Sequence, residues 1–180
     1  MKTKMIALCL VGFFMLACSS SNTKATPEQI QALDELVASQ SFMIESEWAV
    51  PQTSSSLIAL QNSGILAPGD NAGRVSLIGN PNFLKLKGDA IDSKLPYFGE
   101  RQMVNRRNDN GSIEFEDTIK NIEIEQHKNS SYTIKFDAKS HNENYNVIIR
   151  LYPNLRSEML LKGAKRFPIR YTGYVSKIPE

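Results

Sequence analysis

Through the second half of the chain, apolar and polar residues change places at almost every position. Tyr132, Ile134 and Phe136 alternate with Thr133, Lys135 and Asp137. Tyr145, Val147, Ile149 and Leu151 repeat the pattern further on. A period of two sends successive side chains to opposite faces of an extended strand, so each piece has one apolar face to bury. Further pieces of this kind occur at 42–50, 74–78, 83–87, 112–116, 119–125, 157–161 and 167–175. Turn-forming residues part them: Asn108-Asp109-Asn110-Gly111, the stretches 127–131 and 140–144, and Lys162-Gly163. No helical pattern lies between these strands, so no parallel βαβ unit is expected. The chain reads as mainly β: an antiparallel sheet of about 8–10 strands, closed or nearly closed into a barrel or strongly curved as a meander. A sandwich of two sheets is the alternative.

One helix precedes the sheet. Thr26 is placed to cap it, Pro27 suits its first position, and Gln29 completes a capping box. Ile30, Leu33, Leu36 and Val37 form its apolar stripe, which is expected to pack across the domain. Pro51 ends the strand that follows, because proline cannot donate to a ladder. Residues 51–73 break short apolar pieces with Ser, Asn, Gly and Pro, and read mostly as loop.

The N-terminus is of another kind. Lys2 and Lys4 precede a run at 5–16 without charge, and Ala17 closes it, which is the pattern of a secretory signal peptide. Twelve helical residues rise about 18 Å, too little for a hydrocarbon core of about 30 Å. Met15-Leu16-Ala17-Cys18, followed by three serines, resembles the lipobox of bacterial lipoproteins. That resemblance implies cleavage before Cys18 and a lipid on its thiol. The expected organisation is a signal peptide at 1–17, a lipidated tether at 18–25 and one β-rich domain at 26–180.

Removing the leader changes what the composition means. The 180 residues hold 21 Lys and Arg, 19 Asp and Glu, and two cysteines. Without the first 17, which include Lys2, Lys4 and Cys9, 163 residues remain with 19 basic and 19 acidic side chains. A neutral chain has no electrostatic footing on nucleic acid. One cysteine excludes an internal disulfide and a cysteine-based zinc site.

Catalytic patterns are missing. There is no Gly-x-Ser-x-Gly elbow, no glycine-rich phosphate loop and no His-Glu-x-x-His helix. His127 and His141 fall in turns, without spacing that gathers metal ligands. Glu114, Glu116, Glu123 and Glu125 alternate with Ile113, Phe115, Ile122 and Ile124, the pattern of a solvated strand face, and Asp117 continues the acidic run. Asp92 belongs to turn chemistry. Lys162, Lys165, Arg166 and Arg170 read as a solvated hairpin. The most distinctive stretch is Leu95-Pro96-Tyr97-Phe98-Gly99, whose two rings must either pack or meet a ligand. With Asp89 near in sequence, Asp89, Tyr97 and Phe98 are the candidate mouth of a pocket.

Taken in order, several stretches are similar to one family. They are Ala49-Val50-Pro51, Leu84-Lys85-Leu86-Lys87-Gly88-Asp89, Leu95-Pro96-Tyr97-Phe98-Gly99, Gly111-Ser112-Ile113-Glu114-Phe115, Tyr132-Thr133-Ile134-Lys135-Phe136 and Ile169-Arg170-Tyr171-Thr172-Gly173-Tyr174. Together with the leader they resemble Bacteroidota cell-envelope lipoproteins carrying domain of unknown function 4251, from Pro27 to Val175. The resemblance implies a barrel of lipocalin-like topology at the envelope, and brings no activity or site residues. The same phylum implies one modification: Asp117-Thr118-Ile119 matches its three-residue O-glycosylation pattern, making Thr118 the candidate acceptor.

The expectation is a non-enzymatic, lipid-anchored outer-membrane protein facing the periplasm, with no cofactor. An eight-stranded barrel either fills its interior or holds one small ligand. The first reading is a barrel binding an apolar small molecule or lipid. The alternative is an assembly module that binds another envelope protein through a sheet edge or the N-terminal helix, and a hydrolase of envelope polymers is the weakest. A lined cavity favours the first reading, and a filled core beside an exposed apolar patch favours the second.

Overall fold

The computed structural model describes residues 25–102, 111–141 and 143–179. Two helices and ten strands occur among them. Helix α1 (Pro27–Ser39) leads into β1 (Ser41–Pro51), α2 (Ser55–Asn62) and the short β2 (Val75–Ser76). The strands β3 (Phe83–Lys87), β4 (Ala90–Lys94), β5 (Glu116–Thr118) and β6 (Lys120–Gln126) follow. β7 (Tyr132–Ser140), β8 (Glu143–Leu151), β9 (Arg156–Gly163) and β10 (Ile169–Ser176) complete the set.

All the ladders are antiparallel, in the order β5-β4-β3-β1-β10-β9-β8-β7-β6, with β2 laid against β1. The two strands at the ends of that order are neighbours in sequence, separated by Ile119 alone. One segment, 116–126, therefore pairs with β4 through its first part and with β7 through its second. This makes the sheet a nearly closed barrel whose two edges are halves of one bent strand. Asn121 makes the bend. It holds φ +55, the register slips between Lys120 and Glu123, and its Nδ2 donates to Asp137 Oδ2 at 2.8 Å. Asparagine tolerates the left-handed conformation, and an extra residue in one strand sharpens its twist.

Closure also leaves a stagger. Thr118 lies opposite Ala90, the first residue of β4, whereas Lys120 lies opposite Asp137, well inside β7. Tilted strands in a barrel require such an offset. By the time the segment becomes β6, β4 has run out. Among the described residues β6 is paired on one side only, and all seven of its own residues are exposed.

β1, the longest strand, joins the chain's beginning to its end by pairing with β10. The pairing shifts between Ser46 and Trp48, and β1 presses against β10 there. A Cβ on Gly173 would run into the Glu45 carbonyl and, at 2.6 Å, the Ser46 Cα. Only glycine admits that approach.

The capping box expected for α1 forms: Gln29 N–H donates to Thr26 Oγ1, and Thr26 N–H donates to Gln29 Oε1. Leu33, Leu36 and Val37 are buried and belong to the barrel's core. Asp34 accepts from the Tyr132 hydroxyl at 2.8 Å, so α1 lies across the barrel end where β1 and β7 begin. Inside, Phe42, Ile44, Leu84, Leu86, Phe115, Phe136, Val147, Ile149, Met159, Leu161 and Tyr171 are each at most 1 % exposed. Phe115 and Tyr145 meet edge to face at 5.5 Å.

Three local expectations are corrected. The stretch read as loop contains α2, capped by Ser54, with none of its residues buried. A helix that buries nothing leaves no amphipathic stripe to read. Residues 90–94, passed over as turn chemistry around Asp92, form β4 of a tight hairpin at Gly88-Asp89. Residues 112–116, expected as a strand, make one bridge between Ile113 and Leu95, and β5 starts only at Glu116. No described helix is long and apolar enough to cross a membrane.

Candidate functional site

The Leu-Pro-Tyr-Phe-Gly segment leaves β4 at the barrel end opposite α1. Leu95 is fully buried and exchanges backbone hydrogen bonds with Ile113 at 2.8 and 3.0 Å. The Pro96 carbonyl accepts from the Tyr171 hydroxyl at 2.8 Å. The Tyr97 hydroxyl lies 2.8 Å from the Glu100 carbonyl and 2.9 Å from that of Phe167. A Cβ on Gly99 would strike the Tyr97 ring, so glycine lets the ring fold back over its own loop. Tyr97 and Phe98 both pack against the core.

Asp89 is elsewhere. It sits in the hairpin turn ahead of β4, where its carbonyl accepts from the Ile119 N–H at 2.8 Å. The five residues of β4 rise about 17 Å between that turn and Leu95. The structure does not bring Asp89 together with Tyr97 and Phe98.

What Tyr97 does adjoin is a buried ion pair. Arg166 Nε stands 3.1 Å from Glu143 Oε2, and the two side chains are 10 % and 7 % exposed. The Glu143 carboxylate also accepts from the Tyr145 hydroxyl at 2.8 Å and the Lys165 N–H at 2.7 Å. Arg166 Nη1 donates to the Gly111 carbonyl at 3.1 Å, and its guanidinium lies 5.1 Å from the Tyr97 ring centre. A carboxylate with three donors is well compensated for leaving water. Burial pushes the Tyr97 hydroxyl up to about 12 against the opposing pull of Arg166. Burial likewise raises Tyr145 and Tyr171. At neutral pH all three phenols are therefore protonated donors.

Sequence reasoning missed this pair. The turn pattern at 140–144 predicts an exposed Glu143 and the basic hairpin a solvated Arg166, yet Glu143 is buried and Arg166 nearly so. A partnership across 23 residues leaves no local pattern to find.

The other candidates are scattered. Glu116, Asp117, Glu123 and Glu125 are exposed on β5 and β6. Glu114, Glu116, Asp117, Lys139 and His141 line an open depression of about 250 Å³ beside β5 and the end of β7. There the Glu114 N–H donates to Ser140 Oγ at 3.1 Å. His127 Nε2 is 2.8 Å from Thr133 Oγ1, and its Nδ1 is 3.7 Å from Glu125. Among the described residues, no three His, Cys, Asp or Glu side chains gather closely enough to hold a metal ion. Thr118 is exposed at the end of β5, where its N–H donates to Asp117 Oδ1. Cys18 and the leader lie outside the described residues.

Fold and site together define a small antiparallel barrel, closed by one bent strand and clamped at one mouth by a buried ion pair and three tyrosines. The chain belongs to the DUF4251 family: the family model described as Domain of unknown function (DUF4251) matches residues 24–175. A similar crystal structure is that of a DUF4251 family protein from Bacteroides eggerthii DSM 20697, with a TM-score of 0.56 at 9 % identity. The match covers 83 % of this chain and 88 % of that one. At this identity the likeness is one of fold alone. None of the curated proteins matches this chain.

Proposed function

We propose that the protein is a lipid-anchored cell-envelope module that works by binding another envelope protein. The observation that carries this reading is a filled interior beside uncovered apolar surface. Side chains bordering a hollow would show area to it, and the interior ones named above show at most 1 %. That weighs against a small apolar ligand inside the barrel. Outside, Ile58, Leu60, Ile65 and Ile78 on and after α2 are 37–73 % exposed, and Ile122 and Ile124 on β6 are each 40 % exposed. Neighbouring apolar side chains left exposed, as Ile122 and Ile124 are along β6, mark interaction surfaces. The leader and Cys18 support the anchor, since two or more acyl chains hold a protein stably at a membrane.

Two measurements test this. A photo-crosslinking residue placed at 60 or at 124 in native cells is expected to capture an envelope protein, with a control at exposed Lys139 capturing none. Native mass spectrometry of the purified protein is expected to give the mass of polypeptide, acyl chains and any glycan on Thr118. A stoichiometric small molecule retained in the barrel, with no crosslink at either position, overturns the proposal.

A further inference from the structure

We propose that the open edge of β6 receives an extended segment of the partner as an added strand, and that this segment alternates apolar residues with Lys or Arg. The inference rests on the partner reading above and specifies where and what it binds.

The stagger of barrel closure leaves β6 with β7 on one side and, among the described residues, no strand on the other. Half of an edge strand's backbone N–H and C=O groups then point away from its ladder, ready to pair with a second chain. Side chains agree with that use. Ile124 pairs with Ile134, which is 1 % exposed, so Ile124 and Ile122 share the face that continues the barrel's interior. Both remain 40 % exposed because the wall stops there. An added strand would extend the wall and cover them with its own apolar residues.

Charge selects the occupant. From Glu114 to Gln126 there are five acidic side chains and one basic, in a chain that as a whole holds 21 basic and 19 acidic. Glu123 and Glu125 alternate with the two isoleucines and therefore flank the edge on its outer face. Lys135 stands 3.8 Å from Glu123, but both side chains are largely exposed and such a pair is weakly held. A second copy pairing antiparallel, with Ile122 facing Ile124, would set Glu123 against its own counterpart. Like charges directly opposite destabilise a ladder. Basic residues at those positions attract instead. Edges are commonly guarded by lysine, proline or a bulge. Here Lys120 and the bulge between Lys120 and Glu123 lie at one end, and residues 123–126 hold neither lysine nor proline.

The test uses the full-length protein in detergent and three labelled ten-residue peptides: alternating Lys and Val, alternating Glu and Val, and a scrambled Lys/Val control. At physiological salt the alternating basic peptide is expected to bind at least tenfold more tightly than either of the others. Hydrogen exchange is expected to slow at 120–126 when it binds. A Glu123→Lys, Glu125→Lys variant with an unchanged circular dichroism spectrum should reverse the preference toward the acidic peptide. Equal binding of the scrambled peptide, absence of protection at 120–126, or an unreversed preference in that variant overturns the inference. Should the peptides fail while residue 60 still crosslinks to an envelope protein, this inference falls and the partner reading stands.

Discussion

The two polar regions of the barrel are built from similar residues and arranged to opposite ends. At the mouth, Glu143 is buried and Arg166 nearly so, and the carboxylate receives three donors. At the seam, Glu123 and Glu125 lie on a strand that is exposed throughout and paired on one side. Polar groups taken out of water and fully matched fix the frame of a protein, whereas polar groups left in water beside an unpaired backbone remain open to a partner. The difference separates the residues that hold this molecule together from those that it offers outward.

The largest break should come at the mouth. Glu143→Ala takes the Glu143 carboxylate away from Arg166, Lys165 N–H and the Tyr145 hydroxyl, and is expected to cost about 3–5 kcal/mol in chemical denaturation, the usual loss when one member of a buried pair is removed. A loss below about 1 kcal/mol, the scale of exposed pairs, would place the mouth in the same class as the seam.

Alkaline pH loosens the same region by another route. The Tyr97 hydroxyl titrates at about 12 in the fold and near 10 in an unfolded chain. Between those values the unfolded chain gives up its proton first, so stability is whole below about pH 10 and falls as the pH rises through about 12. Tyr145 and Tyr171 shift in the same direction and add to the fall. Urea midpoints read against tyrosinate absorbance check this, and a midpoint that stays level from pH 10 to 12 contradicts it.

The seam should barely respond. Ile122→Ser with Ile124→Ser is expected to change stability by no more than about 0.5 kcal/mol, as is usual for exposed positions, while abolishing the capture made by a crosslinker at exposed Gln126 on the same strand. A large loss of stability would mean that the two isoleucines belong to the core.

How much of this could be read beforehand follows from how local each signal is. The strands β7 and β8 carry their alternation within nine residues each, and the capping box of α1 spans four. The barrel was legible from such pieces, because many short alternating strands without helices between them have few ways to bury one face each. The bend that closes it was not. It depends on one left-handed asparagine and a side-chain bond to Asp137, sixteen residues away. Gly173 shows the middle case. Its Tyr-x-Gly surroundings stood out as a motif, but the reason, close approach of the β1 backbone, lies at the far end of the sequence. The rings of Leu-Pro-Tyr-Phe-Gly pack, and the loop's proper neighbours, Glu143 and Arg166, carry ordinary polar names in ordinary polar stretches.

The pairing of β1 with β10 bears on when the barrel can form. Met43 meets Ser176 and Pro51 meets Ile169, so this ladder joins the first strand to the last. Contacts that distant in sequence are slow to make, because a long loop has to be closed before they return any stabilisation. As the chain is synthesised, β1 has its β3 hairpin partner early but waits for β10 until every other strand has emerged. The barrel therefore has no complete ring until β10 has emerged. A polypeptide built this way stays threadable while it is being made, as the export proposed above would require.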